Sequence, residues 1–188
     1  MKLILASKSP RRKEILDMVG ARFEIRTADV DETYDVSTPV YDVPKMLAQR
    51  KAMAIDIKDD EIIVACDTLV LCDREILGKP KTEENAVKML EKLSGNAHYV
   101  ISGLCIRSKK KCVTESVETK VFMRNFSHEE ALRYVEKCKP IDKAGAYGIQ
   151  EAASAFVEKI DGDFYNVVGL PLCRLCEILK ESFGYNLT

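Results

Sequence analysis

Two hydroxyl groups and two guanidinium groups fall close together near the start of the chain. The segment KLILASKSPRR contains them as Ser7, Ser9, Arg11 and Arg12. Ser9 suits a helix N-cap and Pro10 suits the first helical position, so these groups would surround a helix N-terminus. Free N–H groups at such an end bind anions and arginine forks bind phosphate, which indicates a polyanion site. The arginines also oppose the helix dipole, and two solvated arginines on a surface helix would explain the same pattern.

Two carboxylates are candidates for general-base and metal chemistry. Asp67 lies between the apolar runs 61–66 and 69–72. A lone carboxylate inside a buried strand is unfavourable unless it is paired or binds a cation, so a functional role is favoured. Glu32 ends the acidic cluster 29–32, just after a predicted strand. Such a cluster either binds a divalent cation or is only solvated.

Lys51 and Lys79 complete a set of cations and carboxylates that suits phosphoanhydride hydrolysis. Lys51 lies on a predicted helix and Lys79 in a predicted loop, where either could contact phosphate. A magnesium or manganese ion held by carboxylates offsets phosphate charge, and a carboxylate can activate a water for attack. Arginine and lysine then stabilise the leaving pyrophosphate. The spacing alone does not show that these residues meet in space.

Strands and helices alternate along the chain that must carry these residues. Periodicity and turn residues predict strands at 3–5, 23–26, 61–72, 76–77, 98–107, 112–122, 156–160 and 164–168. They predict helices at 10–19, 43–57, 82–93, 127–135 and 172–183. A hairpin joins 98–107 to 112–122. The fold class is therefore α/β (mixed α+β), a mixed sheet flanked by helices.

Length and composition are those of a single globular domain, 1–188. With 29 basic and 30 acidic residues the net charge is −1, which argues against a general nucleic-acid partner. No run approaches the roughly 18 apolar residues of a membrane helix, so no membrane partner is expected. Basic residues from position 11 interrupt the N-terminal apolar run before a signal-peptide core could form. Seven cysteines without a compact framework fit reduced thiols, so we expect a cytoplasmic protein.

The remaining reactive side chains indicate packing more than chemistry. The chain has only two histidines, so a multi-histidine metal site is not expected. Cys173 and Cys176 form a CxxC inside an amphipathic helix without a second pair, which favours core packing over zinc. Cys105 and Cys112 can face each other across the hairpin, with free thiols as the favoured state.

Seven segments, each weak alone, occur in an order that is specific when taken together. They are LASKSPRR at 5–12, VDE at 30–32, LAQRKA at 47–52, ACDTLV at 65–70, GKP at 78–80, DKAGAYGIQ at 142–150 and GDFYNVVGLP at 162–171. In these segments the chain resembles the Maf family of nucleoside triphosphate pyrophosphatases over nearly its whole length. The resemblance implies cleavage of the α–β phosphate bond, giving nucleoside monophosphate and pyrophosphate. It also implies a fold similar to inosine-triphosphate pyrophosphatases: an elongated, twisted mixed sheet, with two lobes and a cleft.

The resemblance further implies a role for each candidate residue. Asp67 would be the general base and, with Glu32, a ligand of the divalent cation. The triphosphate would be held by Ser7, Arg12, Lys51 and Lys79, and Ser9 is a further phosphate candidate from its place at the helix N-terminus. Three positions follow the branch of the family that acts on dTTP and UTP: Arg11, Thr68 and Gln150. One position departs from the family, because Glu151 stands where glycine usually follows the glutamine.

Three hypotheses follow from this resemblance. The leading one is a house-cleaning pyrophosphatase for dTTP, UTP and modified pyrimidine nucleotides, with a divalent cation as cofactor. The second is a nucleotide-binding regulator of cell division, in which hydrolysis is incidental. The third is a pyrophosphatase for 7-methyl-GTP or another purine nucleotide. The presence of Asp67, Glu32 and Lys79 favours an enzyme, because a binding module needs no general base. Dimers are common in the family, so a homodimer is compatible with the sequence, although no interface is recognisable in it.

Overall fold

The structure, a computed structural model, describes residues 1–187. Its strands are β1 (Lys2–Leu5), β2 (Phe23–Ile25), β3 (Glu61–Cys72), β4 (Glu75–Leu77), β5 (Ala97–Arg107), β6 (Cys112–Met123) and β7 (Val157–Asp161). Its helices are α1 (Pro10–Met18), α2 (Asp42–Met53), α3 (Glu83–Leu93), α4 (His128–Cys138), α5 (Phe164–Val168) and α6 (Leu172–Phe183). Short 3₁₀ turns occupy Ala144–Ala146 and Ala152–Phe156. Among these helices, none combines the length and apolar character needed to cross a bilayer.

The strands form one mixed sheet. Its order is β2-β1-β3-β5-β6-β7, and β4 pairs with β3 off this path. β1 pairs in parallel with β2 and with β3, whereas β4 pairs with β3, and β7 with β6, in the antiparallel sense. Parallel and antiparallel pairs thus occur in one sheet flanked by helices, which confirms the predicted fold class.

β3 is much longer than its neighbour β1. The last pair between them joins Leu5 to Val64, and the backbone N–H of Ala6 still donates to the Val64 carbonyl at 2.8 Å. β3 then continues to Cys72. Its residues are buried as far as Cys66, and Asp67 and Thr68 are the first that are only half-buried. The buried strand therefore opens to polar contacts just beyond the end of β1.

The chain divides into two compact units. The first comprises 1–68, 102–117 and the chain from 169 onward. Within it, α2 packs its small residues Ala48 and Ala52 against Ile63 and Ala65 of β3. A Cβ at Gly103 of β5 would lie 2.2 Å from the carbonyl carbon and oxygen of Pro44. Only glycine therefore allows this close approach between β5 and the first turn of α2.

The second unit comprises 69–101 and 118–168, and two capped helices belong to it. The Thr82 hydroxyl accepts from the Asn85 N–H at 3.2 Å and caps α3. Ser127 and Glu130 form a reciprocal capping box at the start of α4. In the interior, the ring of His98 is hydrogen-bonded to the Tyr147 hydroxyl at 2.7 Å. Local sequence signals therefore account for the start of both helices.

The predicted strand at 164–168 is wrong, because this segment is helix α5. The Asp163 carboxylate accepts from the Tyr165 N–H at 2.7 Å and favours a helical start. The side chain of Asn166 is buried and donates to the Val100 carbonyl at 3.0 Å. An apolar run of five residues fits a strand or a short helix equally well, and this capping interaction favours the helix.

All seven cysteines are free thiols. The sulfurs of Cys105 and Cys112 lie 3.7 Å apart across the hairpin, as their spacing allowed. Cys176 is half-buried, whereas Cys173 is exposed, so the prediction of core packing is wrong for Cys173. On α6 the buried positions are 172, 175, 178 and 179, and residue 173 falls outside that helical stripe.

Candidate active site

The turn between β1 and α1 forms a polar cradle. Ser7 is buried, and its hydroxyl accepts from the Ser9 N–H at 3.2 Å. Ser9 occupies the N-cap position and Pro10 the first turn, as predicted, but the Ser9 side chain makes no capping hydrogen bond. The first turn of α1 carries no acidic residue. The N–H groups and the positive end of the helix dipole are therefore arranged to receive an anion.

Arg12 extends this cradle by donating to three neutral oxygens. Its Nη1 donates to Ser7 Oγ at 3.0 Å, and its Nη2 donates to Thr68 Oγ1 at 3.3 Å. Its Nε donates to the Gly169 carbonyl at 2.8 Å. Gly169 has φ +127, a backbone conformation that residues with a side chain disfavour. The guanidinium is thus fixed in orientation while none of these acceptors neutralises its charge.

Lys51 joins the two candidate carboxylates. Its ammonium donates to Asp67 Oδ1 and lies 2.7 Å from Glu32 Oε1. The side chains of Lys51 and Asp67 are 18% and 16% exposed, whereas that of Glu32 is 59% exposed. Burial alone would lower the pKa of Lys51, but Asp67 and Glu32 outweigh it and raise that pKa above its usual value. The lysine is therefore a fixed positive charge between two carboxylates.

The loop that carries Glu32 is held by the residue next to Lys51. Arg50 Nη1 donates to the carbonyls of Asp31 and Thr33 at 3.1 and 2.6 Å. The Asp31 carboxylate accepts from the N–H and hydroxyl of Thr33, each at 2.8 Å. Asp29 instead pairs with the exposed Lys8 at 2.7 Å. Of the three carboxylates in this acidic cluster, the structure therefore joins Glu32 to Asp67 through a shared lysine.

Lys51, Asp67 and Glu32 form a lysine cluster, and this cluster and the polar cradle meet at two adjacent residues of β3. Asp67 and Thr68 are adjacent, and successive strand residues point to opposite faces of a sheet. Asp67 contacts Lys51 of α2, and Thr68 contacts Arg12 of α1. Both lie beyond Val64, the last residue that pairs with β1. The two groups therefore approach from opposite faces, at the point where the chain leaves β1 for α1.

The carboxylate pair fits a divalent cation. Glu32 and Asp67 each place an oxygen against the same ammonium, so their oxygens converge on one position occupied by positive charge. Mg²⁺ and Mn²⁺ prefer such oxygens, and Mg²⁺ is usually bound through one or two carboxylates together with substrate phosphates. Within residues 1–187, no group of three or more His, Cys, Asp or Glu side chains forms a metal centre by itself.

Three predicted site residues have no part in these contacts. Arg11 is half-buried on α1, beside Arg12. Lys79 and Gln150 belong to the second unit, where both are exposed. Their roles therefore stay predictions.

The departure at Glu151 has a local explanation in the second unit. Its carboxylate lies 3.3 Å from the ammonium of Lys143, which is buried. A Cβ added at Gly148 would lie 3.0 Å from Glu151 Cδ, so the carboxyl group occupies the space that a side chain at 148 would need. Glu151 is therefore turned back onto its own loop and paired there.

Sequence reasoning missed three groups that organise this site. Arg50 positions the Glu32 loop, the Gly169 carbonyl orients Arg12, and the hydroxyl of Ser102 lies 2.8 Å from that of Thr68. Arg50 and Gly169 lie inside LAQRKA and GDFYNVVGLP. These segments carry the family resemblance, but the sequence assigned no role to either residue. Ser102 lies in a strand between apolar residues and carried no signal.

The chain is thus an α/β protein with a mixed sheet, and an arginine-lined helix N-terminus beside a carboxylate–lysine cluster is an arrangement suited to phosphate. The Maf-like protein family matches this chain over residues 2–182. The chain therefore belongs to the Maf family.

Individual relatives agree with this assignment, and one solved structure is similar in fold. The dTTP/UTP pyrophosphatase of Alkaliphilus metalliredigens (strain QYMF) is 46% identical over 190 residues, covering 99% of this chain and 98% of that protein. The dTTP/UTP pyrophosphatase of Thermosipho africanus (strain TCF52B) is 45% identical over 183 residues, covering 96% of this chain and 93% of that protein. The structure of a HAM1 protein from Coxiella burnetii aligns with TM-score 0.51 at 13% identity, covering 97% of this chain and 100% of that one. This last likeness concerns the fold alone.

Proposed function

We propose that this protein hydrolyses nucleoside triphosphates, with dTTP and UTP as preferred substrates. The products are nucleoside monophosphate and pyrophosphate. The observation that carries the proposal is the lysine held between Asp67 and Glu32, next to the step of β3 where Thr68 meets Arg12. The names of the relatives from Alkaliphilus and Thermosipho, each aligned over nearly the whole chain, support the same substrates.

The cradle at the start of α1 would hold the phosphates. Arg12 is kept in place by neutral partners, so its charge is available to an anion. Ser7 and Ser9 contribute hydroxyl and backbone donors at the positive end of the helix. These groups would stabilise the charge that develops on the leaving pyrophosphate.

Asp67 would act as the general base. It accepts a proton from a water molecule whose oxygen attacks the α-phosphorus, while the bond from that phosphorus to the bridging oxygen breaks. The bonding electrons leave with pyrophosphate. Lys51 would hold the Asp67 carboxylate in position and offset phosphate charge during this step. Glu32 would keep the lysine centred over the site.

The cofactor in this proposal is Mg²⁺ or Mn²⁺, bound by Glu32 and Asp67. When bound, the ion supplies positive charge that polarises the phosphate oxygens. The other predicted roles belong to the same proposal: Lys79 as a further phosphate partner, and Arg11, Thr68 and Gln150 as residues that select the nucleobase. The cytoplasmic location and the homodimer stay predictions.

A substrate panel with product analysis tests the proposed reaction. We would incubate the protein with dTTP, UTP, CTP, dGTP and 7-methyl-GTP, with Mg²⁺ or Mn²⁺, and resolve the products by chromatography. We expect monophosphate and pyrophosphate, most rapidly from dTTP and UTP. Diphosphate with orthophosphate would contradict the mechanism. A preference for 7-methyl-GTP would support the purine alternative, and no turnover with either metal would support the regulator.

Two matched asparagine variants test whether Asp67 is the general base. Asp67→Asn removes the proton acceptor but keeps an oxygen for Lys51, so we expect turnover to fall at least about 100-fold while nucleotide binding remains measurable. Asp29→Asn removes a carboxylate from an exposed ion pair in the Glu32 loop and should leave turnover unchanged. An active Asp67→Asn variant would place the base elsewhere.

An alanine variant tests how the protein selects the nucleobase of its substrate. Arg11→Ala should reduce the ratio of dTTP to CTP turnover, because it removes one of the three residues assigned to base recognition. An unchanged ratio would contradict the role proposed for Arg11.

A further inference from the structure

Ser102 is a buried hydroxyl at the candidate site that the proposed mechanism does not use. It lies on β5, which neighbours β3 in the sheet, and its side chain is fully buried. Its Oγ lies 2.8 Å from Thr68 Oγ1. This is the shortest of the contacts that Thr68 makes through its hydroxyl. The hydrogen bond with Ser102 therefore contributes most to the orientation of the Thr68 hydroxyl.

The hydrogen-bonding capacity of Thr68 limits what its proton can do. A threonine hydroxyl has one donor and two acceptor positions. Arg12 Nη2 fills one acceptor position at 3.3 Å. If Ser102 donates, it fills the other, and the proton of Thr68 must then find a different acceptor.

The two protein acceptors near that proton are weak. One is Cys66 Sγ, a poor sulfur acceptor 3.9 Å from Thr68 Oγ1. The Gly169 carbonyl lies 3.4 Å from Thr68 Oγ1, but it already accepts from Arg12 Nε at 2.8 Å and from Cys66 Sγ at 3.3 Å. A carbonyl oxygen offers two lone pairs, and those two donors use both. The proton of Thr68 is therefore the least satisfied donor in this group, and it lies on a half-buried residue.

We propose that Ser102 is a positioning residue that donates its hydroxyl proton to Thr68, so that Thr68 presents its own proton to an oxygen of the nucleotide. The proposal rests on the proposed function, since it requires a nucleotide beside Thr68. The oxygen is either a carbonyl of the base or an oxygen of the phosphates. Thymine and uracil carry a carbonyl at the ring position where cytosine carries an amino group, and a fixed donor favours the carbonyl.

Loss of the Ser102 hydroxyl has a defined consequence for Thr68. Ser102→Ala leaves one acceptor position of Thr68 empty, and the threonine hydroxyl can then turn or exchange places with its methyl group. The nucleotide would no longer meet a fixed donor. Ser102 would thus act on the substrate only through Thr68, and this distinguishes it from a residue that merely fills space in β5.

A double-mutant cycle between positions 102 and 68 tests the proposal. We would measure kcat and KM for dTTP and CTP in the wild type, Ser102→Ala, Thr68→Val and the double variant. We expect Ser102→Ala to lower kcat/KM for dTTP about 5- to 10-fold, the effect of one neutral hydrogen bond. In the Thr68→Val background, the same substitution should change kcat/KM less than about 2-fold.

Conservative and matched variants separate positioning from structure. Ser102→Thr keeps the hydroxyl and should retain wild-type activity within about 2-fold. If Ser102→Ala does not fold, Ser102→Cys takes its place, because a thiol is only a weak donor. Ser94 also makes a 2.8 Å hydrogen bond, in the second unit. Ser94→Ala should therefore leave kcat/KM unchanged, and thermal unfolding of each variant checks that the fold is kept.

Each outcome has a definite meaning. A lower ratio of dTTP to CTP turnover in Ser102→Ala supports a base carbonyl as the acceptor, and an equal loss for both nucleotides supports a phosphate oxygen. Equal effects of Ser102→Ala in both backgrounds, or no effect in either, would overturn the proposal while the proposed function stands. A wild-type protein that hydrolyses none of the nucleotides would overturn both.

Discussion

Replacing Lys51 with methionine removes the positive charge between two carboxylates while keeping a side chain of similar length. The pair between Lys51 and Glu32 spans 2.7 Å. At that distance a charge pair is worth about 1.5 kcal/mol in water and about 6 kcal/mol at the effective dielectric constant near a protein surface. Desolvation offsets part of this, and breaking a fully buried pair costs about 3–5 kcal/mol. Because Glu32 is 59% exposed, we expect a loss of about 2 kcal/mol in unfolding free energy.

That loss is measurable by urea or thermal unfolding. For a chain of this size, about 2 kcal/mol corresponds to a fall of about 4–8 °C in Tm. Turnover of dTTP should fall about 100-fold, because the Asp67 carboxylate loses its positioning partner and the phosphates lose a cation. Mn²⁺ added without nucleotide should raise the Tm of the variant more than that of the wild type, since the ion no longer competes with an ammonium.

Lys88→Met is the matched control for this prediction. Lys88 pairs with Glu84 at 2.6 Å, but the two side chains are 64% and 78% exposed. An exposed pair of this kind contributes at most about 0.5 kcal/mol, so the control should keep its Tm and its turnover. If Lys51→Met behaves like Lys88→Met in both measurements, Lys51 is neither a stabilising nor a catalytic element.

Three further predictions concern packing, pH and phosphate binding. Gly103→Ala should lower the unfolding free energy by about 3 kcal/mol, because its Cβ meets backbone of Pro44, whereas Gly78→Ala, with no atom nearby, should change it little in the same urea titration. Burial lowers the pKa of His98 to about 4, so the unfolded chain binds its proton first as the pH falls below about 6.5. At pH 5 this should cost about 2 kcal/mol relative to pH 7, and a His98→Phe variant with the same pH dependence would contradict it. Arg12→Lys keeps the charge but loses the fork, so KM for dTTP should rise about 10-fold, and an unchanged KM would exclude a role for the fork.

Local chemistry explains why parts of the fold were predictable. Pro10 begins α1 as its type indicates, with Ser9 at the N-cap position but without a side-chain cap, and a buried apolar run produces β3. A carboxylate inside such a run needs a partner, and Asp67 has one. These inferences succeed because they depend on neighbours in sequence or on the cost of burying a charge.

The identity of the partners could not be predicted, because it depends on contacts between distant parts of the chain. Lys51 was expected to bind phosphate, and the structure shows it held by two carboxylates instead, so its direct phosphate role stays a prediction. The Gly169 carbonyl meets Arg12 across 157 residues, and no periodicity or cap signals such a contact. The helix at 164–168 was missed for a local reason. Asp163 was interpreted as part of a turn, whereas its carboxylate accepts from the Tyr165 N–H at the start of this helix.

The alternation of side chains along β3 has a consequence for insertions and deletions. Asp67 and Thr68 serve opposite faces of a strand whose register with β1 runs from Glu61 opposite Lys2 to Val64 opposite Leu5. A slip by one residue would exchange the two faces and turn the carboxylate toward the guanidinium of Arg12 and the hydroxyl toward the ammonium of α2. Removing or adding one residue within 65–66 would therefore erase the site with almost no change in composition. The function proposed for Asp67 and Thr68 therefore depends on the odd or even position of each residue along β3 as well as on its type.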